Sequence, residues 1–215
     1  MKKGLVFDLD GTLVYSIEDI ADSMNKVLEA HNLKTYDYET YKVFVGNGLR
    51  KLCERALGDA YQKGEKFEAI FEELMNTYAD NCVNKSCLYP GISDLLTSLK
   101  DKGLKLAVLS NKANRLTQKV GASLLKEWKF DFILGEGGDI PRKPETKGVE
   151  HILSSLDLKK DEVLYIGDSG VDMQTAENAN LFGIGVTWGF RSREELAENN
   201  AKAIVDKPEE ILKYL

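Results

Sequence analysis

LVFDLDGTLV, residues 5–14, is the stretch on which the reading of this chain turns. Its first half is an apolar run of strand type, and the Asp10-Gly11 pair that follows is a strong turn signal, which by local rules alone predicts a hairpin. Side chains alternate along an extended strand, so Leu5, Phe7 and Leu9 share one face while Val6, Asp8 and Asp10 share the other. Two carboxylates therefore stand together at the C-terminal end of a strand. In open α/β sheets that is where ligands bind, especially where the strand order reverses.

The segments after residue 87 supply the other strands. Apolar runs at 104–110, 130–135, 162–168, 181–187 and 203–205 read as strands. Helical patterns at 92–102, 114–128, 145–156 and 171–179, and two more around the last strand, alternate with them, which predicts an α/β fold with a doubly wound, mostly parallel sheet. The runs lack clean polar alternation, as expected when helices cover both faces of a sheet. Residues 16–86 break the rhythm. Apolar residues recur there at three- and four-residue spacing with no convincing strand between them, so the expectation is a helical domain over 16–86 inserted into a core of 1–15 and 87–215. Two chain crossings would join insert and core, a natural hinge.

The predicted strand ends carry a consistent chemistry. The run at 104–110 ends in Ser110-Asn111-Lys112, the one at 162–168 leads into Gly167-Asp168-Ser169-Gly170-Val171-Asp172, and Lys143 lies between them in PRKPE. Acids from separate strand ends, a hydroxyl with nearby amides, and an ammonium are the means of holding Mg2+ and a phosphoryl group together. A carboxylate that attacks a phosphate dianion meets like-charge repulsion, which a cation and a lysine neutralise.

Composition bounds the rest. At 215 residues, 43% hydrophobic and 30% charged, the chain is ordinary globular protein with no disordered tail or linker, large enough for one large domain or for one carrying a smaller one. A net charge of -6 and a pI near 5.2 argue against nucleic acid and anionic membrane as partners. The apolar run at the N-terminus is too short for a signal peptide or a span, which makes the cytoplasm the expected location. Cys53, Cys82 and Cys87 form no disulfide framework and have poor zinc spacing; His31 and His151 read as helix-surface residues. No nucleophile elbow accompanies them, so a Ser-His-Asp hydrolase is not expected.

DLDGTL at 8–13, the strand ending in Ser110, Lys143 in RKP, and GDSGVD at 167–172 together resemble, in order and over essentially the whole chain, the four motifs of the haloacid dehalogenase superfamily. The resemblance implies the family's Rossmannoid core and Mg2+ as cofactor. It implies Asp8 as the nucleophile that forms an aspartyl-phosphate and Asp10 as general acid and base. It further implies phosphate contacts from Leu9, Ser110, Asn111 and Lys143, and a metal held by the carboxylates of Asp8 and Asp168 with the backbone carbonyl of Asp10. Thr12 would orient Asp10, and Asp172 would orient water or Lys143 from behind the ligands.

The insertion after the first motif resembles the cap of subclass I members. Within it FVGNGLRKL, residues 44–52, is a glycine turn opening a helix, so Asn47 and Arg50 are candidate contacts for the part of the substrate that is not transferred. That piece, with YIGDSGVDMQTAENAN and GVTWGFRS, is similar to phosphoglycolate phosphatases, which implies hydrolysis of a small phosphorylated metabolite. Trp188 and Phe190 are expected to pack at a loop or interface. The chain departs from its relatives at Tyr15, where an aspartate is common, and at Glu145-Thr146, where a second proline is. A β-phosphoglucomutase-type phosphomutase, a sugar-phosphate or pyrophosphate phosphatase, a phospho-acceptor signalling domain and a catalytically silent relative stay open as alternatives. Substrate and oligomeric state are not readable from the sequence.

Overall fold

Strand β1 (Gly4–Phe7) lies inside a six-stranded sheet whose order is β5-β4-β1-β6-β7-β8, with β4 at Lys105–Ala113, β5 at Phe132–Glu136, β6 at Val163–Gly167, β7 at Phe182–Val186 and β8 at Ala203–Val205. All the pairings are parallel. From β1 the chain builds one side of the sheet with β4 and β5, then crosses back to lay β6, β7 and β8 on the other. The order therefore reverses beside β1, and the ends of β1, β4 and β6 meet where such a sheet opens a crevice. The computed structural model describes residues 1–61 and 63–215 and divides into two units, Met1–Tyr15 with Leu88–Leu215, and Ser16–Cys87. Short strands β2 (Val14–Tyr15) and β3 (Cys87–Leu88) stand where the chain passes from one unit to the other.

The sheet is buried on both faces, which is why its strands carry apolar residues at both parities. Val6, Ala107, Leu109 and Tyr165 pack with Val149, Ile152 and Leu153 of helix α7 (Lys147–Leu156). Phe7, Leu106, Val108, Leu164 and Ile166, at the other parity, are equally buried. Three helices differ from the sequence expectation. The predicted helix at 114–128 is α6 only to Leu124, followed by a 3-10 turn at Lys126–Trp128. The helix predicted from 145 begins at Lys147; Glu145 lies in the preceding turn, its amide donating to the Arg142 carbonyl at 3.0 Å. The final helix is a 3-10 helix, Pro208–Tyr214.

In the second unit, helices α1 (Ile17–Ala30), α2 (Tyr38–Phe44), α3 (Gly48–Leu57) and α4 (Glu65–Asn81) follow one another. Ile17, Ile20, Ala21, Met24, Val27 and Leu28 form the buried stripe of α1, and Phe67, Ile70, Leu74 and Tyr78 that of α4. Asp19 is buried in α1 and accepts the backbone amides of Lys85 at 2.9 Å and Ser86 at 2.8 Å, with the Ser86 hydroxyl at 2.7 Å. The two ends of the inserted segment are thereby tied together. No helix among the described residues is long and apolar enough to cross a membrane.

Candidate active site

The turn at Asp10-Gly11 forms, but it closes on itself and makes no hairpin along β1. Leu13 and Val14 donate their amides to the Leu9 carbonyl at 3.0 and 2.9 Å, and the Gly11 amide donates to the Val14 carbonyl at 2.9 Å. The reason is topological. Both edges of β1 are already taken by β4 and β6, so a returning strand has nothing to pair with.

Asp8 continues β1, its amide donating to the Ile166 carbonyl at 2.9 Å, and its carboxylate enters a buried cluster. Lys143 Nζ lies 2.8 Å from Asp8 Oδ1 and 2.7 Å from Asp172 Oδ1. Asp8, Asp168 and Asp172 are all buried and offer carboxylate oxygens within 4.8 Å of one another. Three buried carboxylates thus cluster together, with one ammonium paired to two of them.

The titration shifts follow from that imbalance. Burial, only partly offset by Lys143, pushes the Asp8 carboxyl well above its ordinary range, with Asp172 and Asp168 adding to the rise. Burial and then the Asp172 charge raise Asp168 to about 7. For Lys143 burial works downward, but Asp172 and Asp8 together carry it well above the usual lysine value, so it remains an ammonium.

These residues fit a divalent cation. Asp8 Oδ1 is buried and accepts no hydrogen bond of good angle, even with the Lys143 ammonium beside it. Hard carboxylate oxygens carrying uncompensated charge are the donor set Mg2+ prefers. The three acids are not equivalent. Asp172 has both oxygens engaged, Oδ1 by Lys143 and the Tyr165 hydroxyl at 3.4 Å, Oδ2 by the Ser169 amide at 3.1 Å and hydroxyl at 2.6 Å. Asp168 accepts one neutral donor on each oxygen where Asp172 accepts two, the Lys143 ammonium among them, so Asp8 and Asp168 are the better ligands and Asp172 is a brace for Lys143.

The end of β4 supplies the rest. The strand continues beyond residue 110 to Ala113, and its pairing with β5 shifts register between Ser110 and Ala113. A bulge of this kind re-aims side chains. Asn111 Oδ1 accepts the Lys143 amide at 2.7 Å and its Nδ2 donates to the Lys143 carbonyl at 3.3 Å, so this side chain holds the lysine loop. Lys112 is buried, with Nζ 2.6 Å from Asp10 Oδ1. Ser110 is buried, and its hydroxyl accepts the Lys112 amide at 3.2 Å.

Asp8, Asp10, Ser110, Asn111, Lys143, Asp168 and Asp172 are therefore interlinked within one unit. One expected contact differs, and two residues of the second unit carry internal partners. The Thr12 hydroxyl donates to Asp168 Oδ1 at 3.2 Å and not to Asp10, since a buried carboxylate draws in the nearest donor. Arg50 is bound by Glu68 at 2.8 and 2.9 Å, with its guanidinium over the Phe71 ring at 4.3 Å from the centroid. Asn47 Oδ1 accepts from Arg55 Nη2 at 2.9 Å and caps no amide of α3 with its side chain. Within their own unit these two side chains have internal partners.

Lys112, Tyr165 and Ser169 take part without having been singled out from sequence. Lys112 hides behind the bulge, and Tyr165 reads as one more apolar strand residue. Ser169 had a legible signal, because Ser-x-x-Asp at 169–172 is a capping box on helix α8 (Gly170–Asn178).

The family described as haloacid dehalogenase-like hydrolase matches the chain over residues 5–186. A phosphoglycolate phosphatase of Haemophilus influenzae is 33% identical, with 97% of this chain and 96% of that protein aligned. One from Colwellia psychrerythraea is 31% identical over 98% of this chain and 96% of its own. Among solved structures, a Lactobacillus delbrueckii subsp. bulgaricus protein assigned to the phosphoglycolate phosphatases superposes with a TM-score of 0.93 at 33% identity, covering 100% of this chain and 98% of that one.

Proposed function

This chain belongs to the haloacid dehalogenase-like hydrolase family, as a phosphatase similar to phosphoglycolate phosphatases, and we propose that it hydrolyses a small, phosphoglycolate-like phosphate monoester through an aspartyl-phosphate on Asp8. The observation that carries this reading is the convergence of Asp8, Asp168 and Asp172, with carboxylate oxygens within 4.8 Å of one another and Lys143 bonded to two of them, where the strand order reverses.

In this mechanism Asp8 attacks phosphorus with one carboxylate oxygen, and the bond to the leaving oxygen breaks. Asp10, on the adjacent turn, gives its proton to that oxygen and then takes one from the water that attacks the acyl phosphate, which releases inorganic phosphate and restores Asp8. Lys143 lowers the cost of ionising Asp8 and faces the phosphoryl oxygens, while the Ser110 hydroxyl and the main chain at Leu9 and Asn111 receive the others. Asp8, Asp168 and the Asp10 carbonyl would hold Mg2+, whose charge offsets repulsion between nucleophile and phosphoryl group. Thr12 and Asp172 orient Asp168 and Lys143. Asn47 and Arg50 serve as substrate contacts only if the substrate displaces Arg55 and Glu68 from them.

The test is phosphate release from a panel of small phosphomonoesters, phosphoglycolate among them, with Mg2+ and with chelator. Mg2+-dependent release abolished by Asp8→Asn is the expected result. Isomerisation of a sugar phosphate without net release would point instead to a phosphomutase. A stable phosphoprotein with negligible turnover would mark a signalling domain.

A further inference from the structure

Residues 187–190, Thr-Trp-Gly-Phe, follow β7 and lie outside the four motifs, yet they touch two of them at three points. Trp188 Nε1–H donates to the Thr12 carbonyl at 3.0 Å, and the Phe190 amide donates to Asp168 Oδ2 at 2.8 Å. Gly189 sits between, so close that a Cβ there would stand 2.2 Å from Asp168 Cβ and 2.4 Å from the Gly11 carbonyl oxygen. Gly11, at φ +89, closes from the other side, where its own Cβ would come within 2.3 Å of Asp168 Oδ2. Only two residues without side chains allow this approach. Asp168 Oδ1 meanwhile receives the Thr12 hydroxyl. A carboxylate with a donor on each oxygen and a backbone against each flank is held in a single orientation.

We propose that residues 187–190 are a positioning clamp for the cation site. The Phe190 amide fixes the direction of the Asp168 oxygens, and the Trp188 indole fixes the turn that carries Asp10 and Thr12, so that the ligand oxygens are aimed before any cation arrives. The proposal rests on the reading of Asp168 as a cation ligand. Trp188 touches neither substrate nor cation and is a positioning residue. Partners of this kind typically govern metal affinity by about 10–100-fold.

Trp188→Phe keeps a ring and removes the N–H donor. Metal-free wild type, Trp188→Phe and Asp168→Asn are titrated with Mg2+ by calorimetry. The clamp predicts binding to wild type, loss of it in Asp168→Asn, and roughly tenfold or greater weakening in Trp188→Phe. A second readout does not depend on the variant's folding. The chain has 2 tryptophans, so a nitrogen-15 spectrum of wild type shows two indole N–H signals. That of Trp188 should move with the calorimetric affinity as Mg2+ is added, while that of Trp128, bonded to the Thr97 hydroxyl at 3.0 Å, should not. Wild-type affinity in a folded Trp188→Phe, or a Trp188 signal unmoved at saturating Mg2+, overturns the clamp and leaves the phosphatase reading standing. A wild type that binds no Mg2+, or an Asp168→Asn that binds it as well as wild type, overturns both.

Discussion

Replacing Asp168 by asparagine should make the cation-free protein more stable and blunt its response to Mg2+. Asp168 is 2% exposed, and burial followed by the charge of Asp172 raises its carboxyl from the ordinary 3.8 to about 7. The folded state then holds this proton to higher pH than the unfolded state does. Between about pH 4 and 7 the native protein binds more protons, so stability falls as pH rises through that window and the loss is complete above it. At about 1.4 kcal/mol per pH unit, the ionised group destabilises the cation-free fold at pH 8 by something on the order of 4 kcal/mol. Asparagine is neutral, close in size, and keeps an acceptor for the Phe190 amide. In chelator at pH 8 its melting temperature should exceed that of wild type by roughly 8–16 °C, given 2–4 °C per kcal/mol for chains of this length. The advantage should shrink as pH is lowered toward 4. Mg2+ at a hundred times its Kd should stabilise wild type by about 2.7 kcal/mol and leave the variant unmoved. Thermal unfolding by circular dichroism, with and without chelator across this pH range, measures both. A variant no more stable than wild type in chelator at pH 8, or one that gains equally from Mg2+, would refute the reasoning.

Lys112→Met removes the ammonium that holds Asp10 at 2.6 Å. The turnover number should fall by roughly a hundredfold, the low end of what a general acid contributes, and by less for a substrate whose leaving group needs no proton. Asp19→Ala strips the acceptor from the amides of Lys85 and Ser86 and from the Ser86 hydroxyl. Unsatisfied buried donors cost about 1–3 kcal/mol each, so hydrogen exchange at those two amides should speed up by at least tenfold while that of β1 stays as it was.

The parts of the fold legible in the sequence are those set by local pattern. Apolar runs bounded by turns placed β5, β6 and β7 to within a residue or two, and the helical periodicity within 16–86 anticipated helices there. Parity predicted Asp8 and Asp10 on one strand face, but β1 ends at Phe7 and Asp10 lies in the turn that follows. What escaped depended on pairing between distant segments. The hairpin suggested by Asp10-Gly11 fails because β4 and β6 occupy both edges of β1. Lys112 was hidden because its partner Asp10 lies about a hundred residues away in the chain and it stands at a register shift against β5, which leaves no mark in the sequence of one strand. Thr12 was assigned to its chain neighbour, whereas burial gave it to Asp168 from a strand far along the chain. Trp188 and Phe190 looked like packing residues because the atoms that matter are an indole N–H and a backbone amide. The main chain has no letter of its own in a sequence.

The central claim is the covalent bond between Asp8 and phosphorus, and it can be caught directly. With Asp10→Asn and 2,4-dinitrophenyl phosphate, the leaving group departs unprotonated while the general base for the second step is missing, so the acyl phosphate should build up. Borohydride reduction and peptide mass analysis should then find homoserine at residue 8, in Mg2+ and not in chelator. Turnover by the wild type with no label at residue 8 in that variant, together with activity surviving in Asp8→Asn, would contradict the account.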